Sequence, residues 1–238
     1  VAGGDTASAL ASGCPVIVKA HHAHPGSALA VGHAVIAAVK SCGLPEGTFS
    51  LLYGGGRTVG QRLVKHPALK AVGFTGSRSG GRALFDLAAA RPEPIPVYAE
   101  MSSVNPIFLL PSVLTDRSEE FAAGLQGSAV MGVGQFCTNP GVVIHEKGDV
   151  GDAFKTAYAE LMSQAPVSAM LHSGIRDAYG EGVTARSGSS NVEVLTDAGE
   201  GRGAGGCEAS ASVFATDARS YLADASLADE VFGPSTLL

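Results

Sequence analysis

The sequence is poor in the residues that would indicate a metal-binding, secreted or nucleic-acid-binding protein. Its 238 residues contain no Trp and four cysteines, which lie far apart at positions 14, 42, 137 and 207 and form no CxxC pair. Zinc-site spacing is therefore absent, and the dispersed cysteines favour a reduced, cytoplasmic setting over a disulfide-linked secreted one. The formal net charge of −6 argues against nucleic acid or an anionic membrane as a partner.

Further absences narrow the function classes. No apolar run reaches membrane-spanning length, and the first residues, VAGGDTASALASG, lack the basic flank of a signal peptide. No GxSxG motif is present, which argues against a Ser-His-Asp hydrolase. The chain has no initiator Met and stops inside an apolar run, EVFGPSTLL, so we expect a fragment of a longer protein.

A strand–helix alternation occupies the first hundred residues. Apolar runs at 15–20, 48–54, 69–76 and 94–101 predict buried strands of a parallel sheet, with helical segments between them. The longest helical segment places Leu29, Ile36 and Val39 on one side. This rhythm predicts an α/β fold with a doubly wound sheet, in which the ligand site lies at the carboxyl ends of the strands.

The rhythm continues in longer pieces after residue 102. Strands are expected at 105–111 and 140–146, helices at 119–134 and 151–164, and a loop over the Gly-rich residues 199–212. We therefore predict two α/β domains, residues 1–102 and 103–238, both incomplete.

Glycine-rich turns follow two of the predicted strands. In YGGGRTVG, Gly56 and Gly60 would let a phosphate approach the backbone, although the spacing does not match GxGxxG and a plain strand-to-helix turn is the alternative. GFTGS places Ser77 at the end of the next strand. Two such turns on neighbouring parallel strands favour a nucleotide site.

Two residues are candidates for a catalytic role because of their sequence surroundings. Cys137 lies in MGVGQFCTNPG, where the backbone can bend around a reacting group, whereas a buried structural Cys usually has aliphatic neighbours. Glu100 ends the apolar strand PIPVYAEM, where a solvated carboxylate is unexpected. Because a thiol must lose its proton to attack, we predict Cys137 as a nucleophile and Glu100 as a base.

Other polar residues have simpler interpretations. The histidines at 21, 22 and 24 lack acidic or sulfur neighbours, so we expect no metal site. Asn105 and Pro106 are expected to form a strand-entry turn without a catalytic role.

Six motifs in order along the chain resemble those of the aldehyde dehydrogenase superfamily. They are VIVKAHHAHP, GGGRTVG, GFTGS, YAEMSSVNP, GQFCTNPG and EVFGP. The resemblance implies a Rossmann-type cofactor domain over 1–102 and an α/β catalytic domain over 103–238. It also implies a small-molecule aldehyde substrate and a homo-oligomer in the full-length protein.

The resemblance assigns roles to individual residues. Cys137 would add to the aldehyde and pass through a thiohemiacetal to a thioester, which water activated by Glu100 would hydrolyse. The cofactor would be bound by Lys19, His22, Gly56, Gly60, Ser77, Glu230 and Phe232. The backbone N–H of Cys137 would stabilise the oxyanion, together with an upstream Asn that should precede Val1.

Two departures from the family pattern narrow the assignment. His22 stands where NAD-preferring members have an acidic residue that accepts the ribose 2′-OH, which favours NADP, with NAD as the alternative. EMSS at 100–103 stands where many members have ELGG, and with VKAHHAHPG it is similar to members that oxidise α-ketoglutaric semialdehyde (2,5-dioxopentanoate).

Three alternatives accompany this hypothesis. NADP-dependent fatty aldehyde dehydrogenases share much of the pattern. A thioester-forming or phosphorylating relative would use another acceptor in place of water, and Glu100 argues against it. A truncated, non-catalytic nucleotide-binding chain is the alternative of a different class.

Overall fold

The computed structural model describes residues 3–196 and 206–238. The chain divides into two compact units, Val1–Met101 (unit 1) and Ser102–Leu238 (unit 2). The predicted boundary lay one residue later, after residue 102. Among the described residues, no helix is both long enough and apolar enough to cross a bilayer.

Unit 1 alternates short strands with helices. Its strands are β1 (Val16–Lys19), β2 (Phe49–Leu52), β3 (Val72–Thr75) and β4 (Val97–Glu100). Its helices are α1 (Gly4–Ala11), α2 (Pro25–Ser41), α3 (Gln61–Lys65) and α4 (Arg78–Ala89), and a π-helical turn, Gly56–Gly60, leads into α3. All four predicted strands are present, whereas α1 was not predicted.

The strands of unit 1 form two parallel pairs, β1 with β2 and β3 with β4. The prediction that these strands are buried was wrong. Residues of β3 and β4 alternate between half-buried and exposed, and Tyr98 is 69% exposed. Because successive side chains of a strand point to opposite faces, this alternation shows that one face of the pair is covered and the other is not.

Helix α2 packs through its small residues. Its buried residues are Ala28 and Gly32, and a Cβ on Gly32 would lie only 2.7 Å from Cδ2 of Leu51. Leu29 and Ile36, which were expected on the core side, are each 46% exposed. The predicted apolar side of α2 was therefore wrong, because close approach to β2 requires glycine rather than a large side chain.

Unit 2 contains the longer helices and more strands. Its helices are α5 (Pro111–Val130), α6 (Asp149–Ser163), α7 (Ser173–Ser187) and α8 (Ala218–Ala223). Its strands are β5 (Ile107–Leu109), β6 (Val143–His145), β7 (Ser168–Ala169), β8 (Glu193–Thr196), β9 (Glu208–Ala209), β10 (Ser212–Ala215) and β11 (Ser235–Leu237).

The loop predicted over 199–212 is only partly a loop. Residues 199–205 lie outside the described residues. Beyond them, β9 and the start of β10 occupy residues that were expected to be irregular, because Ala209 and Ser212 are buried and pair with neighbouring strands. A composition rich in Gly, Ala and Ser did not distinguish a loop from a strand here, because small residues also pack in a buried sheet.

Two sheets of unit 2 bring distant segments of the chain together. Strand β10 pairs in parallel with β11 and antiparallel with β8, and β5 pairs in parallel with β6. A parallel bridge between Val142 and Leu237 joins these two sheets. The chain entering β6 therefore lies beside the chain entering β11, and these are the segments that contain Cys137 and Glu230.

Helix α5 begins and ends earlier than the helix predicted over 119–134, since it starts at Pro111. Helix α5 stops at Val130, and Gly132, Val133 and Gly134 then have φ values of 57°, 59° and 66°. Left-handed backbone is strained for a β-branched residue such as Val133. This segment turns the chain away from the helix just before Cys137.

Candidate active site

Cys137 lies on an exposed turn and its thiol is free. The turn, residues 136–139 (the nucleophile turn), is closed by a hydrogen bond from the backbone N–H of Asn139 to the carbonyl oxygen of Phe136, 3.1 Å long. The side chain of Asn105 holds it from the other side: Nδ2 donates to the carbonyl oxygens of Cys137, at 2.7 Å, and Asn139, at 2.9 Å. The sulfur is thus accessible on a backbone that is fixed.

Asn105 does more than was predicted from the sequence. It lies two residues before the start of β5, as expected of a strand-entry residue, but its own backbone is left-handed, with φ of 44°. Its Oδ1 accepts a hydrogen bond from the hydroxyl of Ser103 at 2.9 Å. Sequence reasoning missed this role because the partners of Asn105 lie 32 and 34 residues further along the chain.

Helix α7 supports the segment that carries Glu230, residues 229–234 (the glutamate loop). Arg186 is only 5% exposed and donates from Nη2 to the carbonyl oxygen of Asp229 at 2.8 Å. Burial lowers the pKa of this guanidinium. Tyr179 contacts the other end of the loop: its hydroxyl lies 3.3 Å from the carbonyl oxygen of Pro234, and burial raises its pKa to about 12.

The glutamate loop and the nucleophile turn are in direct contact. Glu230 Oε1 accepts a hydrogen bond from the backbone N–H of Ser103 at 3.2 Å. Asn139 Nδ2 donates to the carbonyl oxygen of Gly233 at 2.7 Å. The backbone of Gly134 approaches Gly233 so closely that a Cβ at position 134 would collide with it. The two segments therefore behave as one assembly within unit 2.

A small crevice opens beside this assembly. Its lining residues are Ser103, Val104, Asn139, Gly141, Arg186, Glu230, Val231 and Phe232. Glu230 and Phe232, which the sequence predicted to bind the cofactor, thus face the same small cavity. Asn139, which was not singled out from the sequence, lines it as well.

In unit 1, three of the predicted cofactor residues lie at the carboxyl end of one strand pair. Lys19 ends β1, and its Nζ is 3.5 Å from the carbonyl oxygen of Gly54, in the turn that follows β2. The π-helical turn begins at Gly56, where a Cβ would meet nothing within 4 Å, and ends at Gly60, where a Cβ would lie 3.9 Å from Lys19 Cδ. A cation beside an open glycine turn suits an anionic ligand.

His22 and Ser77 have additional structural contacts. The exposed ring of His22 stacks on the ring of His21, with 4.5 Å between centroids. Ser77 is the N-cap of α4, and its hydroxyl accepts a hydrogen bond from the backbone N–H of Gly80 at 3.2 Å. The Ser77 side chain thus has a capping role whether or not it also contacts a cofactor.

Glu100 ends β4, as predicted, and its carbonyl oxygen accepts a hydrogen bond from the backbone N–H of Gly76 at 3.1 Å. Its side chain is exposed, so the expectation that this position excludes solvent was wrong; β4 is only half-buried. Glu100 belongs to unit 1 and Cys137 to unit 2. Their action as a base and nucleophile pair stays a prediction.

Comparisons with known proteins identify the relatives of this chain. Residues 1–180 match the model of the aldehyde dehydrogenase family. The chain is 50% identical over 239 residues to alpha-ketoglutaric semialdehyde dehydrogenase 2 of Azospirillum brasilense, covering 100% of this chain and 45% of that protein. It is 46% identical over 184 residues to alpha-ketoglutaric semialdehyde dehydrogenase of Acinetobacter baylyi, covering 77% of this chain and 35% of that protein. The chain thus spans less than half the length of these curated relatives.

Solved structures share the fold. The methylmalonate-semialdehyde dehydrogenase structure from Oceanimonas doudoroffii matches with a TM-score of 0.79 at 17% sequence identity, covering 98% of this chain and 48% of that chain. This likeness confirms the predicted α/β fold class.

Proposed function

This chain belongs to the aldehyde dehydrogenase family, and we propose that the protein of which it is part oxidises an aldehyde to a carboxylic acid with NADP. One structural observation supports the proposal in addition to family membership. The exposed thiol of Cys137 lies on a turn that is fixed against the loop of Glu230, so a candidate nucleophile and a candidate cofactor carboxylate share one rigid assembly.

The chemistry begins with the thiolate of Cys137, which adds to the aldehyde carbon while the carbonyl electrons move to oxygen. The backbone N–H of Cys137 stabilises the resulting oxyanion. Bound NADP would supply the hydride acceptor for the same carbon, so that the thiohemiacetal on Cys137 could be oxidised to a thioester. Glu100 then takes a proton from water, whose oxygen attacks the thioester and releases the acid and the thiolate.

The residues of unit 1 support NADP as the cofactor. Lys19 and the open turn at Gly56 offer a cation and accessible backbone to a phosphate, and Ser77 and Gly60 complete the predicted contacts of that unit. His22 lacks the negative charge that would repel a 2′-phosphate. Glu230 and Phe232 of unit 2 are proposed to bind the nicotinamide half. We accordingly propose unit 1 as the cofactor domain and unit 2 as the domain of the nucleophile.

For the substrate we propose α-ketoglutaric semialdehyde. Two relatives that bear this name are 50% and 46% identical to this chain. Within this chain, EMSS at 100–103 departs from the ELGG of many family members. If the protein instead oxidises a long-chain aldehyde with NADP, the proposed substrate is wrong and the proposed reaction mechanism still stands.

The test is aldehyde-dependent reduction of NADP and NAD by the full-length protein. We expect turnover with NADP and 2,5-dioxopentanoate, little with a long-chain aldehyde, and none after Cys137→Ala. Cys14→Ala is the matched control, because Cys14 is an exposed thiol of unit 1 outside the candidate site. No reduction with either aldehyde would overturn the proposed activity and favour a nucleotide-binding chain without catalysis.

We also propose a cytoplasmic homo-oligomer. The described cysteines at 14, 42, 137 and 207 are all free thiols, in keeping with a reducing compartment. Light scattering of the full-length protein tests the assembly, and a monomer at micromolar concentration would contradict it.

A further inference from the structure

Two residues upstream of β5 connect the nucleophile turn to the glutamate loop. We propose that Ser103 and Asn105 are positioning residues, which hold these two segments at one spacing and so keep Cys137 aligned with the candidate cofactor carboxylate, Glu230. The inference rests on the proposed roles of Cys137 and Glu230. It assigns a positioning role to two residues for which sequence analysis predicted none.

The side-chain amide of Asn105 has one favourable orientation. Nδ2 faces the carbonyl oxygens of Cys137 and Asn139, at 2.7 and 2.9 Å, and Oδ1 faces the hydroxyl of Ser103 at 2.9 Å. Turning the amide over would place Oδ1 against two carbonyl oxygens, which donate nothing. The Nδ2 donors of Asn105 are therefore both directed at the nucleophile turn, and its Oδ1 is directed at Ser103.

The backbone of Asn105 explains why this residue type suits the position. Its φ of 44° lies in the left-handed region. Asn adopts this region more readily than most residues other than Gly, and Gly would supply no amide donors. Asn thus meets two requirements at once.

Ser103 donates to the glutamate loop and to Asn105, which in turn holds the nucleophile turn. Its backbone N–H donates to Glu230 Oε1 at 3.2 Å, and its hydroxyl donates to Asn105 Oδ1. Glycine, which the ELGG pattern would place here, could supply the first hydrogen bond but not the second. The hydroxyl is therefore the part of the connection that distinguishes this chain from that pattern.

The main test uses Asn105→Asp in the full-length protein. Asp keeps the shape and tolerates left-handed backbone, but it removes both N–H donors and turns a carboxylate towards two carbonyl oxygens. We expect kcat with the aldehyde to fall about 100-fold, the scale of a small misplacement of a reacting group, while KM for NADP is unchanged. Asn105→Gly is a second variant, which keeps the backbone conformation and loses the donors.

Ser103→Ala separates the hydroxyl from the backbone. We expect kcat to fall about tenfold, the scale of one neutral hydrogen bond, again without a change in KM for NADP. The double variant Ser103→Ala/Asn105→Asp should lose no more than Asn105→Asp alone, because the two residues act through the same contacts. Ser102→Ala, an exposed neighbour, is the matched control and should leave kcat unchanged.

Hydrogen exchange provides a readout that needs no turnover. In Asn105→Asp, amides of residues 136–141 should exchange faster than in the wild type, and those of α6 should not. If kcat equals that of Ser102→Ala, or if only KM for NADP rises, the positioning role is overturned. A wild-type protein without activity would overturn the proposed function, and unchanged exchange over 136–141 would then separately overturn the positioning of the turn.

Discussion

Units 1 and 2 both alternate strands with helices, but they differ in how many hydrophobic side chains they bury. Of the buried hydrophobic residues in the described chain, unit 1 holds five, Ala20, Ala28, Phe49, Val64 and Ala88. Both hydrophobic clusters of the described residues belong to unit 2, where large side chains such as Phe154, Tyr158 and Phe214 are completely buried. A similar alternation of elements can thus accompany very different cores, and residues that the pattern assigns to a core, such as Ile36, stay exposed.

The largest loss of stability should come from removing a large buried side chain from the core of unit 2. Phe214 is 0% exposed in the middle of β10, so Phe214→Ala should lower the free energy of unfolding by about 3–5 kcal/mol. Phe49→Ala in unit 1 removes the same atoms from a site with few buried neighbours and should cost less. Urea unfolding, with hydrogen exchange assigned to each unit, measures both; equal losses would break the contrast.

Alkaline pH should act on unit 2 through the buried tyrosines Tyr158 and Tyr179, because burial raises the pKa of both. Burial raises the pKa of Tyr179 to about 12, whereas an unfolded Tyr ionises near pH 10. The unfolded chain therefore loses its proton first, and this contribution to stability is complete below about pH 10 and declines as pH rises towards 12, by at most about 1.4 kcal/mol per pH unit. Unfolding measured between pH 9 and 11 should show the decline.

Tyr179→Phe provides the control for this pH effect. The variant should be less stable near neutral pH, because the hydroxyl contacts with Ser210 and Ser212 are lost, but its pH dependence above 10 should be shallower. An identical slope in the variant would show that the alkaline loss arises elsewhere.

A single hydroxyl in the core of unit 2 should have a moderate effect. The Oη of Tyr158 lies 2.9 Å from Thr236 Oγ1, and both side chains are buried. Tyr158→Phe should lower the free energy of unfolding by about 1 kcal/mol, because Thr236 loses one partner but still donates to the carbonyl oxygen of Pro140. Thermal unfolding measures the loss, and a stabilised variant would contradict it.

The smallest change in stability is expected from a substitution on the exposed side of α2. Ile36 is 46% exposed, so Ile36→Thr should change the free energy of unfolding by less than about 0.5 kcal/mol. Val64→Thr is the control in the same unit: Val64 is 3% exposed, and burying a hydroxyl there should cost about 1–3 kcal/mol. Comparable losses in the two variants would show that α2 buries Ile36 in the folded chain in solution.

Local patterns were sufficient to predict the strands β1–β6 and the helices α2–α6. They failed for α7, whose Gly182 packs directly against Val231 and interrupts any apolar stripe. They also failed for β10, because its four residues, SVFA, follow a Gly-rich stretch. Small residues give a weak periodic signal even where they are packed most tightly.

In the candidate site, too, some features could be predicted from local sequence patterns and others could not. Cys137 and Glu230 could be proposed as site residues because their motifs are contiguous in the sequence, and their roles stay predictions. The contacts that hold them could not, since Asn105 reaches Cys137 across 32 residues and Ser103 reaches Glu230 across 127. Such pairs depend on the sheet that aligns β5, β6 and β11, and no local pattern encodes their distance.

The close approach of Gly134 and Gly233 has a consequence for protein engineering. Because the backbone of Gly233 leaves no room for a side chain at position 134, glycine is required there, and we expect the two segments to fit best when both come from the same protein. Gene shuffling between related enzymes should yield active chimaeras when residues 132–141 and 229–234 come from one parent. Crossovers that separate them should be depleted from the functional library.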